Sequence, residues 1–321
     1  MRAVVFDQAG EPLNVLRLAE TATPKIGEGE VLVKVTARPI HPADRSFIRG
    51  QYRVRPAFPQ TAGLEGAGVV VEASRGAAIA AGARVAFRWP GTWAEFAVAP
   101  AARLIEVPAD ISDELASQAA LNPVTAWGLL DQAKPVAGDW LLLTAAASVV
   151  SNLAATMARK RGIRVMGIVR GDAAEGAARS GAEHVFSASD PALTEKIVAT
   201  AGERRVAAVL DSVGGPLLSK LFATLAPGAR IIAYGVQDRE PAAVANATLI
   251  YSNLTWKGFG VDRFLSGLSA PSAAAMWQAL WSMIRSGALA LPVDSTHELA
   301  RFADALAADD RPGRRGKVLL V

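Results

Sequence analysis

The segment Trp140 to Arg170, WLLLTAAASVVSNLAATMARKRGIRVMGIVR, restricts the possible folds more than any other stretch of the chain. Trp140 to Leu143 is an apolar run short enough for a buried strand, and Arg164 to Val169 reads as a second one. Between them, Val149 to Lys160 places Val149, Leu153 and Met157 on one helical face, and Gly162 supplies a helix stop. Strand, tight turn, helix and strand make a parallel crossover unit, which needs a sheet covered by helices. The turn from Thr144 to Ser151 contains no glycine.

A helix that starts at the carboxyl end of such a strand presents unpaired N–H groups, which attract phosphate. The cradle at this point comprises Ser148, Val149, Val150 and Ser151, with Ser148, Ser151 and Asn152 as candidate side-chain donors. The β-carbons of Ala145, Ala147, Val149 and Ser151 hold a pyrophosphate farther off than glycine would, unless the turn opens. Arg170 follows the second strand, where an acidic residue would select an unphosphorylated ribose. A cation there suits the ribose phosphate of NADP(H). The competing reading is an ordinary crossover unit with a solvated arginine at a strand end.

At 321 residues the chain is too long for one small core and suggests two domains. It has no cysteine, which removes disulfides, thiolate metal sites and a cysteine nucleophile. The start, MRAVVFDQAGEP, lacks a signal-peptide core, and apolar runs elsewhere are broken by Gly, Pro or charge. A cytoplasmic protein with no membrane span is the expectation. The formal charge of +4 is spread along the chain, with one dense group, Arg311, Arg314, Arg315 and Lys317, beside the final strand. No basic stripe is interleaved with aromatics, so nucleic acid is not an expected partner.

From Met1 to Pro108, short β-like runs (Arg2 to Phe6, Val31 to Ala37, Gly66 to Glu72, Ala83 to Arg88, Trp93 to Ala97) are divided by Gly, Pro and charge. After Asn122, helices alternate with buried strands at Trp140 to Leu143, Arg164 to Val169, His184 to Ser187, Ala207 to Asp211, Ala229 to Tyr234 and Thr255 to Val261. The last 50 or so residues return to the first domain, ending in the strand Lys317 to Val321. The expected architecture is α/β, with a parallel-sheet cofactor domain (122–262) inserted in a β-rich catalytic domain (1–121 and 263–321). The cleft between the two is the expected active site.

Several segments, in order, carry a family resemblance: HPADRSFIRGQYRVRPAFPQTAGLEGAGVV, GTWAEFAV, NPVTAWGLL, SGAEHVF, DSVGG and RRGKVLLV. Through almost its whole length the chain resembles the zinc-independent medium-chain dehydrogenases/reductases, in the quinone-oxidoreductase branch. Within that branch it is most similar to mitochondrial-type trans-2-enoyl thioester reductases. The resemblance implies a Rossmann-like domain inserted in a GroES-like one, NADPH as cofactor, and a homodimer. It also places His41 where metal-dependent relatives carry their first zinc cysteine, and Leu64 where they carry a histidine. With only His41, His184 and His297 available, no zinc site is expected, and Asp44 and Glu65 read as loop hydrogen-bonding or ion-pairing groups.

By the same resemblance Tyr52, in GQY, is the catalytic candidate. Hydride addition to an activated alkene builds enolate charge, and a phenol can donate a hydrogen bond to it. The other reading is a rim aromatic. Asn122 and Thr125, in NPVTAW, are assigned to positioning nicotinamide or substrate, with a helix cap as the alternative for Asn122. Tyr234 and Phe259 fall in segments that the family places near nicotinamide, and Gly260 stands where the enoyl reductases favour tryptophan. Lys317 either reaches cofactor phosphate or solvates the last strand. Asp211, His184 and His297 read as structural.

The leading expectation is NADPH-dependent reduction of a carbon–carbon double bond in a 2-enoyl thioester. Quinone or small enone reduction is the close alternative, and a non-catalytic NADPH-binding regulator is a third. NLTWKGFGV at Asn253 to Val261 is the candidate edge strand for a dimer, unless it is buried within one chain.

Overall fold

The structure, a computed structural model, describes residues 1–311 and 313–321, with the backbone alone at 178 and 179. It divides into two compact units, Met1–Leu121 with Trp281–Val321, and Asn122–Leu280. The first unit opens with strands β1 (Arg2–Phe6), β2 (Arg17–Glu20), β3 (Glu30–Pro39), β4 (Gln60–Thr61), β5 (Gly66–Ala73), β6 (Arg84–Phe87), β7 (Phe96–Pro100) and β8 (Leu104–Glu106). The second holds β9 (Trp140–Leu143), β10 (Arg164–Val169), β11 (His184–Ser187), β12 (Val206–Asp211), β13 (Leu225–Ala233) and β14 (Thr255–Gly258). The chain then adds β15 (Val293–His297) and β16 (Lys317–Leu320) to the first unit.

In the first unit, β2, β1 and β4 form a small antiparallel sheet. The larger sheet runs β15-β16-β3-β5-β6-β8, with β7 also on β3. The terminal strand β16 pairs antiparallel with β3 through Leu319 opposite Pro39 and Leu320 opposite Arg38, so the two ends of the sequence share one sheet. Val31, Val33 and Val35 of β3 pack with Val70, Val85 and Phe87, the inward half of an alternating pattern. The expected strand at Trp93 to Ala97 begins later, at Phe96. Trp93 is instead wholly buried, and a β-carbon on Gly63 would lie 2.2 Å from its ring.

In the second unit all pairings are parallel, in the order β11-β10-β9-β12-β13-β14. β9 is buried at every residue, as a continuous apolar run between two neighbours requires. The order reverses at β9, between β10 and β12, so loops at the carboxyl ends of these strands diverge and leave a crevice. The helix Val149–Lys160 covers the sheet with Leu153, Ala154, Met157 and Ala158. The expected strand to Val261 stops at Gly258. The next residues form a helix, Val261–Ser266, that buries Val261 and Phe264. No helix among the described residues is long and apolar enough to cross a membrane.

Candidate functional site

The glycine-free turn keeps a tight path at a backbone cost. Ala145 adopts φ 45°, a left-handed conformation that costs a non-glycine residue on the order of 1 kcal/mol. Ala146 N–H donates to Ile168 O at 2.9 Å, tying the turn to β10. Gly167 makes room for it: a β-carbon there would lie 2.5 Å from Ala146 Cβ. The glycine missing from the turn thus has a counterpart on the neighbouring strand.

A cavity of about 700 Å³ opens at this point, lined by Ala145, Ala147, Ser148, Arg170, Val213 and Arg239 among others. Ser148 caps the helix and accepts from Ser151 N–H at 3.2 Å. The N–H groups of Val149 and Val150, in the helix's first turn, have no acceptor among the described residues. The expected side-chain donors are otherwise engaged. Ser148 Oγ donates to Ser151 Oγ (3.0 Å), Ser151 Oγ donates to Thr144 O (3.2 Å), and Asn152 Nδ2 donates to Ser148 O (3.1 Å). An anion here meets backbone N–H groups and arginine rather than these side chains. The donor set fits a dinucleotide phosphate.

Asp211 behaves as its position suggested. Its carboxylate accepts from Thr144 Oγ1 (2.7 Å), Val213 N (3.2 Å) and Gly214 N (3.0 Å), so it shapes the loop after β12. Tyr234 directs its hydroxyl to Ser151 Oγ at 3.2 Å. Phe259 lies elsewhere in the second unit, 5.8 Å from the Phe264 ring and against Gly128, where a β-carbon would come within 2.7 Å of it. Asn122 and Thr125 are buried in the first turn of the helix Asn122–Ala133. Asn122 is thus the first helical residue rather than the residue before it.

In the first unit, Tyr52 is half-buried against a core that contains Phe47 and Ile48, with the Arg53 guanidinium 5.6 Å from its ring centre. Lys317 does not solvate its strand. It is 4% exposed, and its Nζ donates to Ile40 O (3.0 Å) and lies 2.9 Å from His41 Nδ1. His41 Nε2 meets Glu65 Oε2 at 2.5 Å, Glu65 Oε1 accepts from Leu121 N (2.7 Å), and Asp44 Oδ2 accepts from His41 N (2.7 Å). With Lys317 protonated, Nδ1 must accept, so the imidazole proton sits on Nε2 and donates to Glu65. Burial, with Lys317 next, holds His41 well below the ordinary histidine range. Burial pushes Glu65 up to about 8 and Asp44 to about 7, and lowers Lys317 to about 8. No sequence signal pointed to this cluster as a unit, because its members are separated by up to 276 positions.

These residues do not suit zinc. Both nitrogens of His41 are occupied, one of them by an ammonium, Leu64 offers no ligand, and the chain has no cysteine. The C-terminal arginines are also paired, Arg311 with Asp294 and Arg314 with Asp309, each at 2.8 Å.

Two family models match: the GroES-like domain of alcohol dehydrogenases over residues 27–109 and zinc-binding dehydrogenase over residues 149–282. Curated relatives include the mitochondrial enoyl-[acyl-carrier-protein] reductases of Dictyostelium discoideum, 28% identical over 99% of this chain and 94% of the relative, and of Xenopus tropicalis, 29% identical over 100% and 95%. Among solved structures, a putative NADPH:quinone reductase from Mesorhizobium loti superposes with TM-score 0.89 at 27% identity, covering 100% of this chain and 98% of that one. A mycobacterial protein solved in complex with NADPH gives TM-score 0.87 at 28% identity, with both chains covered in full. The fold and both matched domains define an oxidoreductase of two-domain architecture. The chain belongs to the zinc-independent medium-chain dehydrogenases/reductases, in the branch that holds quinone oxidoreductases and enoyl reductases.

The same relatives correct the expected cytoplasmic location. The curated enzymes from Dictyostelium, Xenopus, cattle and human are all mitochondrial. The expectation rested on the lack of a signal-peptide core and of an apolar span. Those features describe how a chain meets a membrane and do not separate one aqueous compartment from another.

Proposed function

We propose that this oxidoreductase uses NADPH to reduce small conjugated carbonyl compounds, with quinones or small enones as substrates. The observation that carries the cofactor assignment is the cavity at the carboxyl ends of β9, β10 and β12, where the strand order reverses. It combines unpaired N–H groups at a helix start with the exposed cation Arg170 at the end of β10. The bound cofactor supplies a hydride. The chain's own residues do the rest: Ser148, Val149, Val150 and Ser151 shape the phosphate cradle, and Arg170 neutralises the ribose phosphate. Asn122 and Thr125 are assigned to positioning nicotinamide or substrate, and Phe259 packs on Gly128 of the helix that carries them. Tyr52 is the assigned donor to the substrate oxygen, where charge develops.

Quinones come first because solved relatives at 26–27% identity, from Bacillus thuringiensis and Mesorhizobium loti, are putative NADPH:quinone reductases over the whole chain. A 2-enoyl thioester is the second reading, favoured by the curated enoyl reductases at 28–29% identity. Steady-state turnover of a quinone, a matched short enone and an enoyl-CoA separates them. Preference for the quinone or enone supports the first reading, and a dominant enoyl-CoA rate replaces it with the second. Tyr52→Phe tests the donor: unchanged turnover removes Tyr52 from the chemistry.

A homodimer formed through β14 belongs to the same proposal. β14 is the edge strand of its sheet, and Trp256, Ile250 and Tyr251 nearby are exposed, Tyr251 at 87%. Sedimentation of the wild type as a monomer would remove it.

A further inference from the structure

We propose that Glu11 and Arg49 are positioning residues for Tyr52: their ion pair clamps residues 9–11 onto the end of the helix Pro42–Ile48 and so sets the direction in which the chain leaves toward Tyr52. This inference rests on the reading of Tyr52 as the hydrogen-bond donor to the substrate. The helix ends in a reversal made by two backbone bonds. Gly50 N donates to Phe47 O at 2.9 Å and Gln51 N donates to Ser46 O at 2.8 Å, with Gly50 left-handed at φ 66°. Tyr52 follows two residues after that glycine. Arg55 closes the loop from its far side by donating to Gly50 O.

Residues 9–11 hold this reversal from outside the helix in three ways. Gly10 N donates to Ile48 O at 3.1 Å, which satisfies a carbonyl that the helix end leaves without an intrahelical partner. Ala9 Cβ lies against Gly50, 3.1 Å from where a β-carbon on that glycine would stand. Glu11 and Arg49 pair as a fork, Nε donating to Oε1 and Nη2 to Oε2, each at 2.8 Å. Arg49 is the residue that caps the helix, immediately before Gly50. Gly10 gives the segment room to pass, because a β-carbon on it would lie 2.6 Å from Val15 Cγ1. Val15 and Tyr52 pack on the same core.

Exposure separates positioning from stability at this pair. The Glu11 side chain is 60% exposed and that of Arg49 34%, and an ion pair so open to water adds little to the folded state. Its geometry does more than its energy. A two-point fork fixes distance and angle together, where a single contact would leave the groups free to swivel. The Gly10 bond holds the Ile48 carbonyl and the fork holds the next residue, so the reversal has one exit direction. A donor acts fully only in the right geometry, and a misplacement of about 1 Å costs up to about 100-fold in rate.

Steady-state NADPH oxidation tests the clamp, with whichever of a small quinone, a short enone and an enoyl-CoA turns over fastest. The readouts are kcat, KM for NADPH and melting temperature, in Glu11→Ala, Arg49→Ala, Tyr52→Phe and the double variant Tyr52→Phe with Arg49→Ala. Glu11→Ala and Arg49→Ala are each expected to lower kcat about 10-fold and to leave KM for NADPH and melting temperature unchanged. Tyr52→Phe should lower kcat about 100-fold. Adding Arg49→Ala to it should cost less than about 2-fold more, because the clamp acts through the phenol. Wild-type kcat in both clamp variants, or a further loss of about 10-fold in the double variant, would overturn the clamp and leave the role of Tyr52 intact. Wild-type turnover in Tyr52→Phe overturns the reading of Tyr52 and the clamp with it.

Discussion

Lys317 Nζ lies 2.9 Å from His41 Nδ1, so an ammonium from the last strand faces a histidine buried at the start of the helix Pro42–Ile48. The charge is internal, buried, and linked through the imidazole to Glu65. Lys317→Met removes the buried donor from His41 Nδ1 and Ile40 O. Leaving a buried acceptor unmet costs about 1–3 kcal/mol. Urea denaturation should show that loss. A change below about 0.5 kcal/mol, the range of ordinary surface substitutions, would mean the cluster carries no stability.

The same cluster predicts an acid-side stability gain. Glu65 rises from 4.5 to about 8 on folding and Asp44 from 3.8 to about 7, mainly through burial. A carboxyl group raised on folding stabilises fully below its unfolded value and loses that contribution as pH climbs through the folded one. Melting temperature should therefore fall between about pH 6.5 and about 8, because below 6.5 the lowered His41 acts in the opposite direction. Lys317, lowered to about 8 from 10.5, acts in the opposite direction above that window, because only the folded state has released the proton there. Glu65→Gln should flatten the fall. A wild-type melting temperature that rises steadily across the window contradicts the assignment.

Gly167→Ala probes the turn from the neighbouring strand. The new methyl would lie 2.5 Å from Ala146 Cβ, and overpacking of this kind costs about 1–3 kcal/mol. Nucleotide affinity should fall with stability, and Ala146→Gly in the same chain should restore both. Failure of that rescue would mean the two residues do not share the space.

Much of the second unit is legible in the sequence for a physical reason. A parallel strand buried on both faces reads as an unbroken apolar run, so WLLL and RVMGIV mark β9 and β10 directly. Asp211 before SVGG signals a loop that it caps. Lys317 is not legible in the same way: a lysine near arginines reads as solvated, and only the pairing of β16 with β3 carries it to His41. Ser148 and Ser151 read as phosphate donors because sequence shows a hydroxyl but not its partner. Thr255 to Val261 reads as one strand because Trp256, Phe259 and Val261 fall in a short run rich in apolar residues, and nothing in it marks the stop at Gly258 ahead of the helix Val261–Ser266.

Arg170→Ala should weaken NADPH by about 10-fold or more, the loss of a charge-assisted contact, and leave NADH nearly unchanged. Calorimetry with both cofactors checks this. Equal losses would show that Arg170 does not read the ribose phosphate.

NADPH oxidation by the chelator-treated protein, with a small quinone, a short enone and an enoyl-CoA offered separately, tests the central claim most directly. The account predicts that chelation leaves the rate unchanged and that the quinone or the enone is reduced fastest. Loss of activity on chelation, or no NADPH oxidation with any of the three, would contradict it.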